Sequence, residues 1–288
     1  MSNSYASPLL TQILEEQAVT VLSDVLAPVS AFARQFSVDR YKPRATAEVK
    51  FVTAGATTQK NATDFENSAT SDSTVTNVQL APDLYTQSFQ ISNADLNSGL
   101  RLADLAEKNL RVFGETLLDA IFAPLTDANF AVAMTRAPAA FAFSDMATAW
   151  GMLKKSPIKY AVLDGEFMAR IVNTPVFYQA TGKSGTDNGG WKSFGWDGIY
   201  ECSRWSGAGA NVHGFFCGPT ALGVLAGLPL QGQSNTLESK VTTVPGLELS
   251  VQANSWFSLK SRSMFGSYDL VMGVAKLDAT CGFLLKSA

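Results

Sequence analysis

The 288-residue chain is poor in charged side chains and contains a single histidine. Charged residues make up 16% of it, against about 25% in an average soluble domain. Ala, Ser, Thr and Gly take up the difference. The formal net charge is -3, from 22 basic and 25 acidic residues, and no long basic run is present. The sequence therefore has no electrostatic footprint of a tight nucleic-acid binder.

Cysteines and long apolar runs are also scarce. Cys202, Cys217 and Cys281 are odd in number, so they cannot all pair within one chain, and reduced thiols in a cytosolic setting are expected. No apolar run reaches the roughly 18 residues typical of a membrane-spanning helix. The N-terminus has Glu15 and Glu16 where a signal peptide would be apolar. We expect a soluble product, made in a cytoplasm and without a membrane partner.

Few residues are candidates for catalysis or metal binding. His213 would have to serve any Ser-His-Asp or Cys-His mechanism, and Cys217 follows it on one face of a predicted strand with no third group in view to orient the ring. Cys202, His213 and Cys217 could supply three zinc ligands, but no CxxC pair or fourth ligand accompanies them. A partly buried histidine beside a core cysteine is the simpler interpretation. We predict no catalytic residue, no metal site and no cofactor.

Two glycine motifs predict turns and not phosphate sites. The stretch Gly207–Gly209 begins like the dinucleotide fingerprint GxGxxG, but Val212 occupies the third glycine position and no helix follows. The triplet Gly182–Ser184 lacks the upstream glycine of a phosphate-binding loop and follows no strand.

The most informative stretch is Ser92–Ile121, where apolar residues recur every three or four positions and predict a helix about 45 Å long with one apolar face. Ser92 is the predicted N-cap, and Pro124 marks the far end. Off the stripe, Glu107 and Arg111 have the i,i+4 spacing of a helical ion pair. The predicted stripe consists of Leu96, Leu100, Ala103, Ala106, Leu110, Phe113, Leu117 and Ile121.

Residues 45–91, which precede this helix, have strand character at both ends. Apolar and polar residues alternate from Ala47 to Val52 and again from Tyr85 to Ile91. Thr, Ser, Asn and Ala dominate residues 53–77 in between, which therefore cannot bury much surface alone. We predict a long two-stranded excursion that needs a partner surface to be ordered.

Residues 1–44 look like an N-terminal arm. Pro8 could open a helix over Leu9–Leu22 that packs on its own domain or on a neighbouring subunit, and Ser30–Phe36 is predicted to form another turn.

Residues 126–245 predict a mixed α/β region. Helices are expected at Asp145–Lys155, capped by Ser144, at Glu166–Val172, capped by Asp164, and from Pro219 onwards; strands are expected at Ile158–Leu163, Ile199–Arg204 and His213–Cys217, with a polar loop over Gln231–Pro245. Strands at Tyr268–Leu277 and Gly282–Leu285 end the chain.

The order of these parts resembles the major capsid proteins of tailed bacteriophages, with the Hong Kong ninety-seven capsid fold. YAVLDGEFMARIVN is similar to the strand-then-helix entry of their axial domain, GFFCGPTALGVLAG to its later strand and helix, and SYDLVMGVAKLDATCGFLLKS to their closing strands. The resemblance implies an α+β fold with an N-arm (1–44), an extended β-loop (45–91), a long spine helix in a peripheral domain (92–125), a mixed α/β axial domain (126–245) and strands returning to the body (246–288).

The resemblance also implies a function. Hexamers and pentamers of one chain would build an icosahedral virion shell around double-stranded DNA, assembled in a host cytoplasm and touching the DNA weakly and non-specifically. A separate scaffolding protein, a portal and decoration proteins are the implied partners. Some members crosslink a loop lysine to a neighbour; Lys50 and Lys60 lie in the loop here, without a recognisable acceptor.

Two other functions stay open at this level. An encapsulin-type bacterial compartment would share the fold and hold cargo proteins. A soluble enzyme or binding module could use the Gly/Trp loop 181–198, where Trp191 and Trp196 look exposed.

Overall fold

The computed structural model describes residues 6–29, 33–38, 47–53, 74–91, 102–173, 186–187, 190–193, 195–229, 237–245, 247, 249–258, 260–261 and 263–288. Within these ranges the helices are α1 Ala6–Val25, α2 Leu102–Phe122, α3 Phe143–Met152 and α4 Gly165–Val172. The strands are β1 Ala33–Val38, β2 Ala47–Thr53, β3 Thr74–Leu80, β4 Asp83–Ile91, β5 Ala131–Arg136, β6 Tyr160–Leu163, β7 Thr186–Asp187, β8 Gly190–Ser193, β9 Trp196–Glu201, β10 Val212–Cys217, β11 Leu222–Gly227, β12 Leu237–Thr243, β13 Ser250–Ser258, β14 Ser263–Lys276 and β15 Gly282–Ser287.

Sheet I is built around β14, which has 14 residues. On one edge β14 pairs with β4 over Met264–Met272. On its other edge β13 pairs with the first half of β14 and β11 with the second half. The outer strands β12 and β1 complete the order β1-β11-β14-β13-β12.

Helices α1 and α2 cover one face of sheet I. The predicted stripe of α2 is confirmed from Ala106 onwards, because Ala106, Leu110, Phe113, Leu117 and Ile121 are all buried, whereas Ala103 is half-buried. Tyr268 of β14 is fully buried in the same core, and its hydroxyl donates to the Leu14 carbonyl oxygen of α1 at 3.4 Å. The N-terminal helix therefore packs within its own subunit.

Sheet II has the order β5-β15-β10-β6-β9-β8-β7 and is apolar on both faces. Along β10, Phe215 faces the core that sheet I shares with α1 and α2, whereas Phe216 faces a second core. Helices α3 and α4 supply Met146, Ala149 and Phe167 to that second core.

A separate hairpin joins β2 and β3, which pair antiparallel from Ala47–Leu80 to Thr53–Thr74 without a register shift. The predicted two-stranded excursion is thus confirmed at its base; residues 54–73 lie outside the described residues.

The predicted start of α2 after Ser92 stays a prediction, whereas the start of α3 differs from the one predicted. Ser92–Arg101 lies outside the described residues, and the helix described from Leu102 onwards has 21 residues, about 32 Å at ~1.5 Å per residue. Helix α3 begins at Phe143 and not at Asp145, because the Asp145 carboxylate accepts from the Ala142 backbone N–H at 3.0 Å and so places the N-cap two residues before Ser144.

Three segments were assigned the wrong conformation. The segment predicted to be a helix from Pro219 onwards contains strand β11. All six residues of β11 are buried, so its sequence is a continuous apolar run without the periodicity that distinguishes a strand from a helix. The loop predicted over Gln231–Pro245 contains strand β12, and the turn predicted over Ser30–Phe36 contains the start of strand β1. Both strands owe their conformation to pairing with another strand: β12 pairs with the next strand, β13, and β1 with the distant strand β11.

Candidate functional site

The single histidine has a carboxylate partner that the sequence did not reveal. His213 Nδ1 lies 2.7 Å from Asp164 Oδ2, and the other oxygen of Asp164 accepts from the Gly165 backbone N–H at 2.7 Å, capping α4. The backbone N–H of Asp164 also donates to the His213 carbonyl oxygen at 2.9 Å. This arrangement links the start of α4 to β10. The contact with Asp164 gives His213 a structural role in joining these two elements.

The three cysteines are free and buried, so none offers a reactive thiol. Burial raises the pKa of Cys202 to about 11, raises that of Cys217 well above its ordinary value and also raises that of Cys281. A thiol in this state is protonated at neutral pH, and thiolates are the nucleophiles and metal ligands. Among the described residues no group of three or more His, Cys, Asp and Glu side chains could hold a metal ion.

The Gly207–Gly209 stretch brings a loop against the end of α2. A Cβ on Gly207 would overlap the backbone carbonyl of Asp119, and the Gly209 N–H donates to the Leu125 carbonyl oxygen at 2.9 Å. Both glycines therefore serve close backbone approach. Gly182–Ser184 lies outside the described residues.

The same loop, residues 202–211 between β9 and β10, is clamped to α2 by Arg204. Its guanidinium donates to Asp119 Oδ2 at 2.7 and 3.0 Å and to Glu115 Oε2 at 2.7 Å. Next to it, Trp205 stacks on Phe122 with ring centroids 4.8 Å apart. The clamp fixes sheet II against the long helix.

The Gly/Trp loop is less open than predicted. Trp196 is 3% exposed and packs 5.8 Å from Phe216, so the prediction that it is exposed was wrong. Trp191 lies in β8, whose side chains are outside the described residues, as are the side chain of Lys50 and the whole of Lys60.

The surfaces that remain open are those of sheet I and the hairpin. Strand β12 pairs only with β13, so its outer edge is unpaired within the described residues, and Val241 on it is 41% exposed. The hairpin β2–β3 has two strands and no third among the described residues. The face of sheet I opposite α1 and α2 forms a groove of about 610 Å³. These features are typical of surfaces that other chains cover.

No helix of the described residues is long and apolar enough to span a membrane. No family model matches the sequence, and no protein of curated function matches it.

Solved structures do match, across nearly the whole chain. The capsid of Ralstonia phage GP4 has a TM-score of 0.58 at 11% identity, with 89% of this chain and 87% of that chain covered. The head structure of Helicobacter pylori bacteriophage KHP40 has a TM-score of 0.56 at 13% identity, covering 93% and 90%. A virus-like particle from Pyrococcus furiosus has a TM-score of 0.53 at 10% identity, covering 98% and 100%. With its hairpin, long helix and two sheets, the chain has the α+β capsid fold of tailed bacteriophages.

Proposed function

We propose that this chain is a major capsid protein that assembles as hexamers and pentamers into an icosahedral shell around double-stranded DNA. The supporting observation is the match to phage capsids along about nine-tenths of both chains. A match of that extent leaves little chain for a separate catalytic domain. We infer a structural role and no enzymatic one.

The open surfaces of the subunit support self-assembly. A two-stranded hairpin is marginally stable alone in water, so β2–β3 needs a neighbour to cover it. Strand β12 has seven residues in unbroken pairing with β13 and contains no bulge or proline, so its outer edge can pair with another strand, although Glu238 and Lys240 give it charge. A closed shell covers both features with further copies of the chain.

The finer assignments belong to the same proposal. The N-arm (1–44), extended loop (45–91), spine helix (92–125), axial domain (126–245) and closing strands (246–288) divide the subunit. Scaffolding protein, portal and decoration proteins are its partners, and it resides in the virion after assembly in a host cytoplasm. A net charge of -3 suits a shell that holds DNA without gripping it.

Electron microscopy of the purified chain tests the proposal. Closed shells of a single polypeptide are expected, with hexameric and pentameric units. A protein that stays monomeric at all concentrations, with and without a co-expressed scaffolding protein, would overturn it.

One observation favours a second candidate, an encapsulin-type compartment: the Pyrococcus furiosus virus-like particle is covered over its full length. The contents of shells purified from the native source distinguish the two. Packaged DNA supports the virion, and a co-purifying enzyme inside DNA-free shells supports the compartment.

A further inference from the structure

The groove on sheet I has a polar floor between apolar ends. The register places Thr86, Asp269 and Gln252 in one row across β4, β14 and β13. The next row consists of Ser88, Ser267 and Asn254. Beyond these rows, Leu84 lies at one end and the stacked pair Trp256 and Phe265, 5.5 Å apart, at the other. We call this surface the polar groove.

The hydrogen bonds within the floor of the groove occupy its side-chain donors, but they do not occupy all of its acceptors. Gln252 Nε2 donates to Ser239 Oγ at 2.8 Å and to Asn254 Oδ1 at 2.9 Å. Asn254 Nδ2 donates to Asp269, and Ser267 Oγ donates to Asp269 Oδ2 at 3.1 Å. Gln252 Oε1, however, accepts no hydrogen bond, although Gln252 is only 3% exposed. Gln252 Oε1 lies below the surface of the floor, so the acceptors that a ligand can reach are the half-buried Asp269 carboxylate and the exposed hydroxyls of Thr86 and Ser88.

The groove also holds a carboxylate without a counter-ion. Among the described residues, no lysine, arginine or histidine forms an ion pair with Asp269. Burial raises the pKa of Asp269 despite hydrogen bonds from Thr86, Ser267 and Asn254. A ligand that brings N–H donors and positive charge would supply the counter-ion that Asp269 lacks among the described residues. Its aliphatic or planar part would lie against Trp256.

We propose that the polar groove binds an extended cationic segment of a second copy of this chain, whose lysine or arginine donates to the Asp269 carboxylate and pairs with its charge. This inference rests on the proposed self-assembly. It assigns a receptor surface to sheet I and a chemical class to its occupant.

The negative charge of Asp269 indicates which segment of the second copy lies in the groove. Residues 54–73, the tip of the excursion, contain one lysine against three acids and would meet Asp269 with the wrong sign. Residues 40–44, RYKPR, place three cations within five positions. Lys42 precedes a proline, which disfavours helical backbone at that residue and favours an extended chain. We therefore assign residues 40–44 of the second copy to the groove.

A double-mutant cycle on shell yield tests the assignment. The triple change Arg40→Ser, Lys42→Ser and Arg44→Ser, and separately Asp269→Asn, should each lower the yield by about tenfold, and their combination should do no worse than the stronger alone. Melting of the unassembled subunit should stay unchanged, or rise for Asp269→Asn as a buried charge is removed. Asp104→Asn, an exposed acid on α2, is the matched control and should assemble normally.

Independent losses that add in the combined variant, or normal yields from either change, would overturn the proposal. Coupling of Asp269→Asn to Lys60→Ser in place of the basic triplet would also overturn it, because the excursion tip would then be the occupant.

A peptide titration keeps this test separate from that of the capsid function. The peptide VDRYKPRATA, residues 38–47, should change the tryptophan fluorescence of the full-length unassembled chain and should fail to do so with Ser267→Phe, which fills the groove. A version with serine at the three cationic positions is the control. Equal binding of both peptides, or binding unaffected by Ser267→Phe, refutes the groove even if wild-type shells form.

Discussion

Leu110 is a single residue that reports on the packing of the core beneath α2. Its side chain is fully buried, so Leu110→Ala should lower the free energy of unfolding of the subunit by about 2–5 kcal/mol. Val112, 51% exposed on the same helix, is the matched control, and Val112→Ala should change stability by less than about 0.5 kcal/mol. Urea unfolding of unassembled subunits gives both values. Equal effects would mean that the stripe is misplaced.

At Gly207 the backbone of the loop 202–211 comes close to the backbone of α2 at Asp119, and a substitution there tests whether the fold needs this contact. Gly207→Ala would force the loop 202–211 away from the Asp119 carbonyl and should cost about 1–3 kcal/mol. A Cβ at Gly151 in α3 would have no neighbour within 4 Å, so Gly151→Ala should be neutral or stabilise by up to about 1 kcal/mol. Thermal melting distinguishes the pair. A neutral Gly207→Ala would show that the loop does not need this contact.

What the sequence could predict at this scale was local. The stripe of α2 followed from spacing alone, as did the cap that Asp164 forms on α4. The pairing of Asp164 with His213 joins residues 49 positions apart, and the Arg204 clamp joins residues 85 and 89 apart. Such contacts depend on how strands are ordered in a sheet, which residue spacing does not encode.

Between elements, the Arg204 clamp makes the docking of sheet II on α2 sensitive to acid. Burial alone would raise the pKa of Asp119, but hydrogen bonds from Arg204 and Ser206 and the charge of Arg204 outweigh it and lower the pKa below its ordinary value. A carboxyl with a lowered pKa stabilises the fold above its unfolded-state pKa of about 3.9, and that contribution is lost as pH falls through the folded value.

Asp119→Asn should therefore destabilise the subunit at pH 7, and the difference from wild type should shrink as the pH falls below about 4. Urea unfolding at both pH values measures it, with Asp104→Asn as a control for general loss of negative charge. A difference that is the same at both pH values would mean that Asp119 acts through shape and not through its charge.

Elements with strong periodicity were predicted correctly, and elements set by their partners were not. Helix α2 and the base of the β2–β3 hairpin followed from their patterns. Strand β11 did not, because burial on both faces removes the alternation that identifies a strand. Strand β12 is polar enough to look like a loop and is a strand because β13 lies beside it.

Residues 54–73, which connect β2 to β3, can be replaced without changing either strand. Replacing residues 54–73 by Asn-Gly keeps β2 and β3 and closes them with a two-residue turn. The unassembled subunit should melt as wild type does, because the removed stretch has little apolar surface to add to the core. It should fail to form stable shells, as judged by electron microscopy. Normal particles would mean that the excursion plays no part between subunits.

At the scale of the whole molecule, the order of parts carried more information than any motif. Identity to the three matched structures named above is 10–13%, so few individual residues are shared, yet the fold matches along most of each chain. Alternating and helical patterns survive at such identity because they require apolar character at a position and not a particular side chain. The polar groove could not be found from the sequence, because its floor is formed where β4, β13 and β14 pair, and residue spacing does not encode that pairing.

In the proposed closed shell, a defect in one subunit affects the whole assembly. A subunit with residues 54–73 replaced keeps its own sheet I and groove, so it can enter a capsomer, but it offers its neighbour no excursion. Mixed with wild type at a one-to-nine ratio, it should reduce the yield of shells by more than its own fraction. Sedimentation of the mixture measures the yield, and Gly151→Ala subunits at the same ratio control for mixing. A loss strictly proportional to the fraction would show that defective subunits are excluded from shells, and that the excursion is needed for entry into a capsomer and not only for its stability afterwards.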